Sequence, residues 1–435
     1  MKSSLPKTNS ARSCLGKPLS AHRRATRVTP ALSPQYFATI DDRACWSSAA
    51  KARGRAREGL KAFNSRKGFL FGTSVALDGD TAVFGAPAED SHSGGVDGDE
   101  SSTGATGAGA AYVAIRSSNG KWSRQGYLKA ETPLQGDSFG TAVAVDGDTI
   151  AVGAPEDDNE GAVHVFVRNG STWSQQAILT EPTRAGSNHF GAAVALQGNR
   201  LIVSSTASNL RSYQGGAAYS YTRTGTIWKA DAEHPNPPAA KYQTYDGYGY
   251  RLSLSGERVA VSETQGERAV FVMLHGPSVW TVEGELILPA QAFGNSSIAL
   301  DGDTLAATAP GVVHIFTRSG SAWTKQISLT PFSGAATAGF GSSVALKGDL
   351  LAVGSGCATC SGGVSTFVRS GTAWKNGAFV TAANLDPNDA MGASVAVSGS
   401  RILAGAPTED SNSSSINQSS ANNSAVDSGA AFILE

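Results

Sequence analysis

Apolar and polar positions alternate along most of the chain in runs too short for helices, and from residue 71 one pattern keeps returning. It consists of an aromatic-Gly pair, a stretch of alternating small and branched residues, a dipeptide ending in Gly, and a second apolar stretch. The copies are FGTSVALDGDTAVFGAP (71–87), FGTAVAVDGDTIAVGAP (139–155), FGAAVALQGNRLIVSST (190–206), YGYRLSLSGERVAVSET (248–264), FGNSSIALDGDTLAATAP (293–310), FGSSVALKGDLLAVGSG (340–356) and MGASVAVSGSRILAGAP (391–407). They make seven copies at intervals of 45 to 68 residues. Each is followed by a second pair of apolar stretches, as in GAVHVFVRNGSTWSQQAILT (161–180) and GVVHIFTRSGSAWTKQISLT (311–330).

Every copy reads as four short strands. The Asp-Gly, Gln-Gly or Lys-Gly dipeptide between the first two is a tight hairpin turn, whose positive φ glycine accommodates. The second strand commonly ends at a proline, which cannot continue a ladder. The third turns through Asn-Gly or Ser-Gly into a fourth that begins at Trp. Four-stranded antiparallel units in series at this spacing predict an all-β, seven-bladed β-propeller. No helical pattern of ten or more residues separates the strands, which excludes an α/β arrangement. The last copy stops at a third strand, GAAFILE (429–435), and would leave an open edge. Residues 57–72, REGLKAFNSRKGFLFG, match 124–140, RQGYLKAETPLQGDSFG, so residues 54–62 are expected to supply the missing outer strand. The domain organisation predicted is a basic extension over 1–53 and a propeller over 54–435.

Composition sharpens this division. The formal net charge of −1 combines a net +12 over residues 1–67 with a net −13 over the remainder. The first 53 residues lack hydrophobic period and any apolar stretch resembling a standard secretory signal. They read as a flexible extension or a mis-called start, a transit or export segment, or an arm that docks on an acidic surface or nucleic acid. Basic residues without interleaved aromatics are a weak signal for nucleic acid, and no nucleic-acid partner is expected. No apolar run is long enough for a membrane-spanning helix. Four cysteines in 435 residues cannot form a disulfide framework, so the core must hold by packing.

The Phe-Gly and Gly-Ala-Pro signatures, at Phe71/Gly72 with Gly85/Ala86/Pro87 and at Phe139/Gly140 with Gly153/Ala154/Pro155, resemble FG-GAP repeats. Those repeats build the integrin α-chain propeller and many bacterial surface proteins. The resemblance covers about 54–435 and implies a secreted or cell-surface binding protein. It departs at one point. Integrin-type repeats carry a calcium loop between the first two strands, which here has shrunk to Asp78-Gly79-Asp80 or Asp146-Gly147-Asp148. Calcium takes six to eight oxygens, so these positions are read as hairpin turns.

Chemistry-bearing residues are sparse. The seven histidines do not cluster, and His164 and His314 occupy one repeated strand position. Trp122, Trp173, Trp228, Trp280, Trp323 and Trp374 recur once per repeat and read as blade packing rather than a sugar platform. Cys357 and Cys360 replace the acidic connection of the second copy; a local disulfide is expected, with free thiols as the alternative. Neither a nucleophile elbow nor a phosphate-binding loop is present. The long variable segments, 88–108 and 408–428, belong to connections on one face of a propeller, and copies one and seven are neighbours across the closure. Glu89, Asp90, Asp97, Asp99, Glu100, Glu156, Asp157, Asp158, Glu160, Glu409 and Asp410 are therefore expected to form a ligand-binding face. Carboxylates at that density repel and raise one another's pKa unless a cation or basic partner neutralises them. Two readings stay open: a solvated acidic face, or a weak calcium site at Asp90, Asp97 and Asp99 completed by Asn412, Asn417 and loop carbonyls. No cofactor is required. The function expected is non-enzymatic binding or adhesion, as a monomer, to an extracellular protein or glycan. The alternative is a carbohydrate-active enzyme with paired carboxylates near the propeller axis.

Overall fold

A computed structural model describes residues 54–55, 58–182, 188–208, 215–238, 247–263, 269–276, 279–288, 297–332, 334–382, 385–411 and 423–435. The expectations for residues 1–53, and for Asn412 and Asn417, lie outside the described residues. The strands form seven antiparallel blades. Blade one is Ser74–Asp78, Thr81–Ala86, Ala110–Arg116 and Trp122–Leu128. Blade two is Ala142–Asp146, Thr149–Ala154, Ala162–Asn169 and Thr172–Leu179. Blade three is Phe190–Gln197, Arg200–Ser205, Ala217–Thr224 and Ile227–Ala230. Blade four is Arg251–Ser255, Arg258–Ser262, Ala269–His275 and Trp280–Ile287. Blade five is Ile298–Asp301, Thr304–Ala309, Val312–Ser319 and Ala322–Leu329. Blade six is Ser343–Lys347, Leu350–Gly354, Val364–Ser370 and Ala373–Thr381. Blade seven is Ser394–Ser398, Arg401–Ala406, Ala430–Leu434 and, from the start of the chain, Glu58–Leu60.

The closing strand pairs antiparallel with the last one, Glu58 opposite Ile433 and Leu60 opposite Ala431. The expected span of 54–62 needs one correction. Gly54 and Arg55 do not belong to blade seven; they pair in parallel with Val380 and Thr381 on the outer edge of blade six. The entering segment therefore touches two blades in turn.

Second strands are buried throughout, as in TAVFGA, TIAVGA and TLAATA, or at every residue but the first, because neighbouring blades cover both faces of each sheet. Alternation of polar and apolar positions is consequently lost there. The core is a set of inter-blade layers. One joins Val83, Val113 and Leu128 to Ile150, Val152 and Phe166; another joins Leu60, Leu403 and Ile433 to Phe71, Phe84 and Tyr112 across the closure.

The Phe-Gly and Gly-Ala-Pro signatures meet between blades. Gly140 has φ +92°, and a Cβ on it would stand 2.3 Å from the carbonyl oxygen of Ala110. A Cβ on Gly85 of blade one would stand 1.9 Å from the carbonyl oxygen of Gly140. Ser74 completes the joint, its hydroxyl donating to the same oxygen at 2.8 Å. Gly405, Gly72 and Ser394 repeat this arrangement between blades seven and one.

Tryptophan makes the second joint. The fourth strands carry bulges at Gln125, Gln176, Glu283 and Gln326, each passed over in the register with the third strand. The skipped residue accepts a hydrogen bond from the indole N–H of the following blade: Trp173 to Gln125 at 3.1 Å, Trp228 to Gln176 at 2.9 Å, Trp323 to Glu283 at 3.1 Å and Trp374 to Gln326 at 3.3 Å. Blade packing is thus the role of these tryptophans, and the bulge is what aims their acceptors.

These joints yield a contrast between two glycines. Gly147→Ala meets open space and should cost about 1 kcal/mol for its left-handed backbone. Gly140→Ala adds a backbone collision and should cost about 3 kcal/mol or more. Urea denaturation of the two variants measures both, and equal losses would contradict the joint.

Candidate binding face

The hairpin face can be set aside first. In the Asp-Gly-Asp turns the first acid accepts a hydrogen bond from the turn glycine of the next blade: Gly147 N to Asp78 at 2.8 Å, Gly198 N to Asp146 at 2.7 Å and Gly348 N to Asp301 at 2.8 Å. The second acid pairs with the arginine next to the end of the third strand, Asp148 with Arg168 and Asp303 with Arg318, and Asp349 of the Lys-Gly-Asp turn pairs likewise with Arg369. Arg168, Arg223 and Arg369 also lie over the tryptophans of their own blades. Both carboxylates of the turn are therefore occupied within the scaffold.

The opposite face is uneven. In blade five only residues 310–311 connect the second and third strands, whereas in blade one the connection runs from 87 to 109. The long connections of blades one and seven have the same root. Ala86-Pro87-Ala88-Glu89-Asp90-Ser91 and Ala406-Pro407-Thr408-Glu409-Asp410-Ser411 each turn so that the glutamate N–H donates to the alanine carbonyl at 3.2 Å. Glu89 and Glu409 then point inward. Glu89 is fully buried against Lys129, 2.7 Å away and itself fully buried. Glu409 is buried against Lys61, which also donates to Ser428 at 2.9 Å. Around Glu89, Asn64 donates at 2.9 Å, and the hydroxyl of Ser91 contacts that of Tyr127 at 2.6 Å. Burial holds both lysine ammonium groups below the usual range, with the partner carboxylate opposing it.

This corrects the sequence-based list. Glu89 and Glu409 are not part of an exposed face; they anchor the loops to it. The lysines were the missed residues, although the repeated Leu-Lys-Ala at 60–62 and 128–130 signalled them.

The remaining acids come together along a continuous strip. Residues 61–70 bind both long connections, through Asn64 and Arg66 on one side and through Gly68 N to Val426 O at 2.9 Å on the other. Residues 106–107 bind the next inter-blade segment at Gly136 and Ser138, and Asp137 O accepts from Glu156 N. Asp97, Asp99, Glu156 and Asp158 are exposed on this strip, and Asp90, Glu100, Asp157, Glu160 and Asp410 are half-buried.

The predicted repulsion is relieved by partners. Arg66 lies 3.3 Å from Asp90, Arg124 pairs with Glu100, and His164 meets Asp157 at 2.9 Å. Hydrogen bonds from the Ser101 hydroxyl and amide hold the Asp99 carboxyl below its ordinary value. The trio Asp90, Asp97 and Asp99 does not converge, since Asp90 faces Arg66, Asp97 accepts from Tyr127 N at 2.9 Å and Asp99 binds Ser101. Among the described residues no three Asp, Glu, His or Cys side chains are grouped to hold a metal ion. Cys357 and Cys360 lie in the blade-six connection with Cα atoms 5.4 Å apart, a separation a disulfide spans, and their sulfurs in bonding contact.

One acid stands apart. Asp389, 2% exposed, accepts a hydrogen bond from Asp386 N at 2.7 Å through one oxygen, while the other has no partner among the described residues. Burial pushes its carboxyl up to about 7, reinforced by Glu409 and Asp410.

The sequence comparison now has a geometry to meet. Residues 122–166, 173–221 and 323–367 match the FG-GAP repeat. The chain carries FG-GAP repeats. Each matched stretch begins at the fourth strand of one blade and ends in the third strand of the next, so the FG-GAP unit is offset from the blade by one strand. No curated protein matches the sequence. The fold is similar to a chain in the "Crystal Structure of Mitotic Checkpoint Complex", with 11% identity, a TM-score of 0.50, and coverage of 87% of this chain and 95% of that one. It is also similar to Saccharomyces cerevisiae Sqt1, with 10% identity, a TM-score of 0.48, and coverage of 88% and 99%. At these identities the likeness concerns the fold alone.

Two outcomes test the loop roots of this FG-GAP propeller. Lys129→Met leaves Glu89 buried without its cation and should cost about 3–5 kcal/mol, whereas Lys129→Met with Glu89→Gln should recover much of that loss in urea melts. For Asp389 the folded pKa lies above the ordinary value of 3.8. Folding therefore favours the protonated carboxyl, and the stability it contributes is complete at low pH and lost as pH rises towards about 7. Asp389→Asn should melt higher than the parent protein at pH 8 and close to it at pH 4; the reverse order would refute the assignment.

Proposed function

We propose that this chain is a non-enzymatic binding or adhesion protein, acting as a monomer outside the cell on a protein or glycan ligand. The observation that carries the reading is the lopsided loop face: long connections on blades seven and one, rooted by buried Lys–Glu pairs and flanked by the acids of blade two, opposite a blade whose connection has two residues. Loops held by a rigid scaffold are where recognition is concentrated, and pre-organised roots reduce the ordering cost of binding. FG-GAP repeats are typical of extracellular proteins, and no helix among the described residues is long and apolar enough to cross a membrane. Asp97, Asp99, Glu156 and Asp158 are the exposed acids through which a ligand would be met, with Arg66 beside Asp90 and Arg124 beside Asp97 and Glu100.

Screening the protein against glycans and extracellular proteins, with and without calcium, tests the reading. Ligands that bind the parent protein should be lost when residues 93–103 are replaced by a Gly-Ser linker that leaves Glu89, Ser91 and Lys129 in place. Undiminished binding by a variant with an unchanged melting temperature would place recognition elsewhere.

A further inference from the structure

The connection between the second and third strands of blade six has a twin of equal length in blade two. One runs from Gly354 to Gly362, the other from Gly153 to Gly161. In blade two the tip turns through Glu156-Asp157-Asp158-Asn159, with Asn159 N donating to Glu156 O at 3.0 Å. In blade six Cys357-Ala358-Thr359-Cys360 makes the same turn, with Cys360 N donating to Cys357 O at 3.2 Å. The residue after each tip docks on the next blade alike: Phe190 N donates to Glu160 O at 3.2 Å, and Met391 N to Ser361 O at 3.0 Å. Blade two makes the turn and the dock without a cross-link. Neither therefore needs the bond between Cys357 and Cys360.

The bond also adds little by restricting the unfolded chain. That effect grows with the length of the loop a disulfide closes, and these cysteines are only three apart in sequence. Their surroundings suit two states. Ala358 and Thr359 are exposed and both cysteines are half-buried, so the pair stands at the surface of the loop face. Cys360 Sγ lies 3.3 Å from Ser355 O and 3.4 Å from Cys357 O, acceptors that a thiol hydrogen on that sulfur can use. Cys357 Sγ is the more open sulfur, in an exposed contact with Thr359 Oγ1 at 3.9 Å. Accessible disulfides of this kind are the ones that exchange, whereas those that hold a fold together resist reduction.

The geometry points to Cys357 and Cys360 as a reversible thiol–disulfide exchange site whose substrate is a dithiol reductant. One thiol of the dithiol loses its proton, and its sulfur attacks Cys357 Sγ. The bond to Cys360 breaks, and Cys360 leaves with the electron pair and takes a proton from solvent, its new S–H directed at Ser355 O. The second thiol of the reductant then loses its proton and attacks the reductant sulfur bonded to Cys357. The reductant closes as a cyclic disulfide, and Cys357 leaves with the electron pair and is protonated in turn. The dithiol is oxidised and the cysteine pair reduced by two electrons. Ala390 N and Met391 N donate to the carbonyls of Cys360 and Ser361, contacts that involve no sulfur. The cycle therefore alters the tip of one connection and leaves blade packing intact. It does not depend on the ligand proposed for the loop face.

Alkylation of the full chain, resolved peptide by peptide, tests this, because Cys14 and Cys45 must be counted apart from the pair. In millimolar dithiothreitol the native pair should be reduced at a rate within about tenfold of that in the urea-unfolded chain, since no unfolding is needed to reach it. The melting temperature should fall by no more than about 3 °C on reduction, and oxidised glutathione should restore the bond. Cys360→Ser should capture glutathione at Cys357 about tenfold faster than Cys357→Ser captures it at Cys360. A bond that resists dithiothreitol until the chain unfolds overturns the inference, as does one whose reduction abolishes the melting transition; either makes it structural. Thiols that stay free in oxidised glutathione overturn it too, and equal capture by the two variants overturns the order of attack.

Discussion

Everything in this propeller depends on the close approach of consecutive blades. A single blade has two apolar faces, and its second strand is buried only because a neighbour lies on each side. Two joints set that approach. Near the loop face, glycine backbone of one blade rests on glycine backbone of the next, as Gly85 does on Gly140. Further out, an indole spans the gap to a bulged glutamine or glutamate. The first joint fixes how near the sheets come, because any side chain would hold them apart. The second fixes their rotation, because a hydrogen bond is directional where an apolar contact is not.

The same constraint explains how long loops can stand on so small a footprint. A connection of some twenty residues loses considerable conformational entropy when it is ordered, and its own backbone contacts are few. The two Lys–Glu pairs meet this cost where it matters, at the point where each loop leaves its strand. A buried pair contributes little net stability compared with an apolar substitute, but it tolerates only one arrangement of its surroundings. Serine hydroxyls complete each pair, joined at Glu89 by the Asn64 amide, so the loop root is specified by geometry more than by energy.

Blade number, turn positions and closure were legible in the sequence because duplication wrote them seven times. Repetition turned a weak local signal into a strong one, and the leucines at 60 and 128 located the closing strand. The limits are equally physical. Gly54 and Arg55 were assigned to blade seven since nothing in a two-residue segment reveals which edge it joins. Glu89 and Glu409 read as exposed because a carboxylate in a polar loop is ordinarily solvated; only a distant lysine, Lys129 for Glu89 and Lys61 for Glu409, takes each inside. A solvated acidic face and a weak calcium site both stay open for the crowded acids because a sequence shows carboxylates in order, without the arginines that the fold sets beside them.

The offset between repeat and blade has a consequence in time. Glu58–Leu60 is made long before its partner Ala430–Leu434. Lys61 and Glu409, which lock the same seam, are 348 residues apart in the chain. A ribosome adding about 5–20 residues each second needs tens of seconds to cover that distance. Throughout that interval the first segment has no sheet to join, and blade one has no neighbour on its closing side. The ring therefore stays open until Ala430–Leu434 has left the ribosome, and a chain lacking that strand is left with an exposed seam.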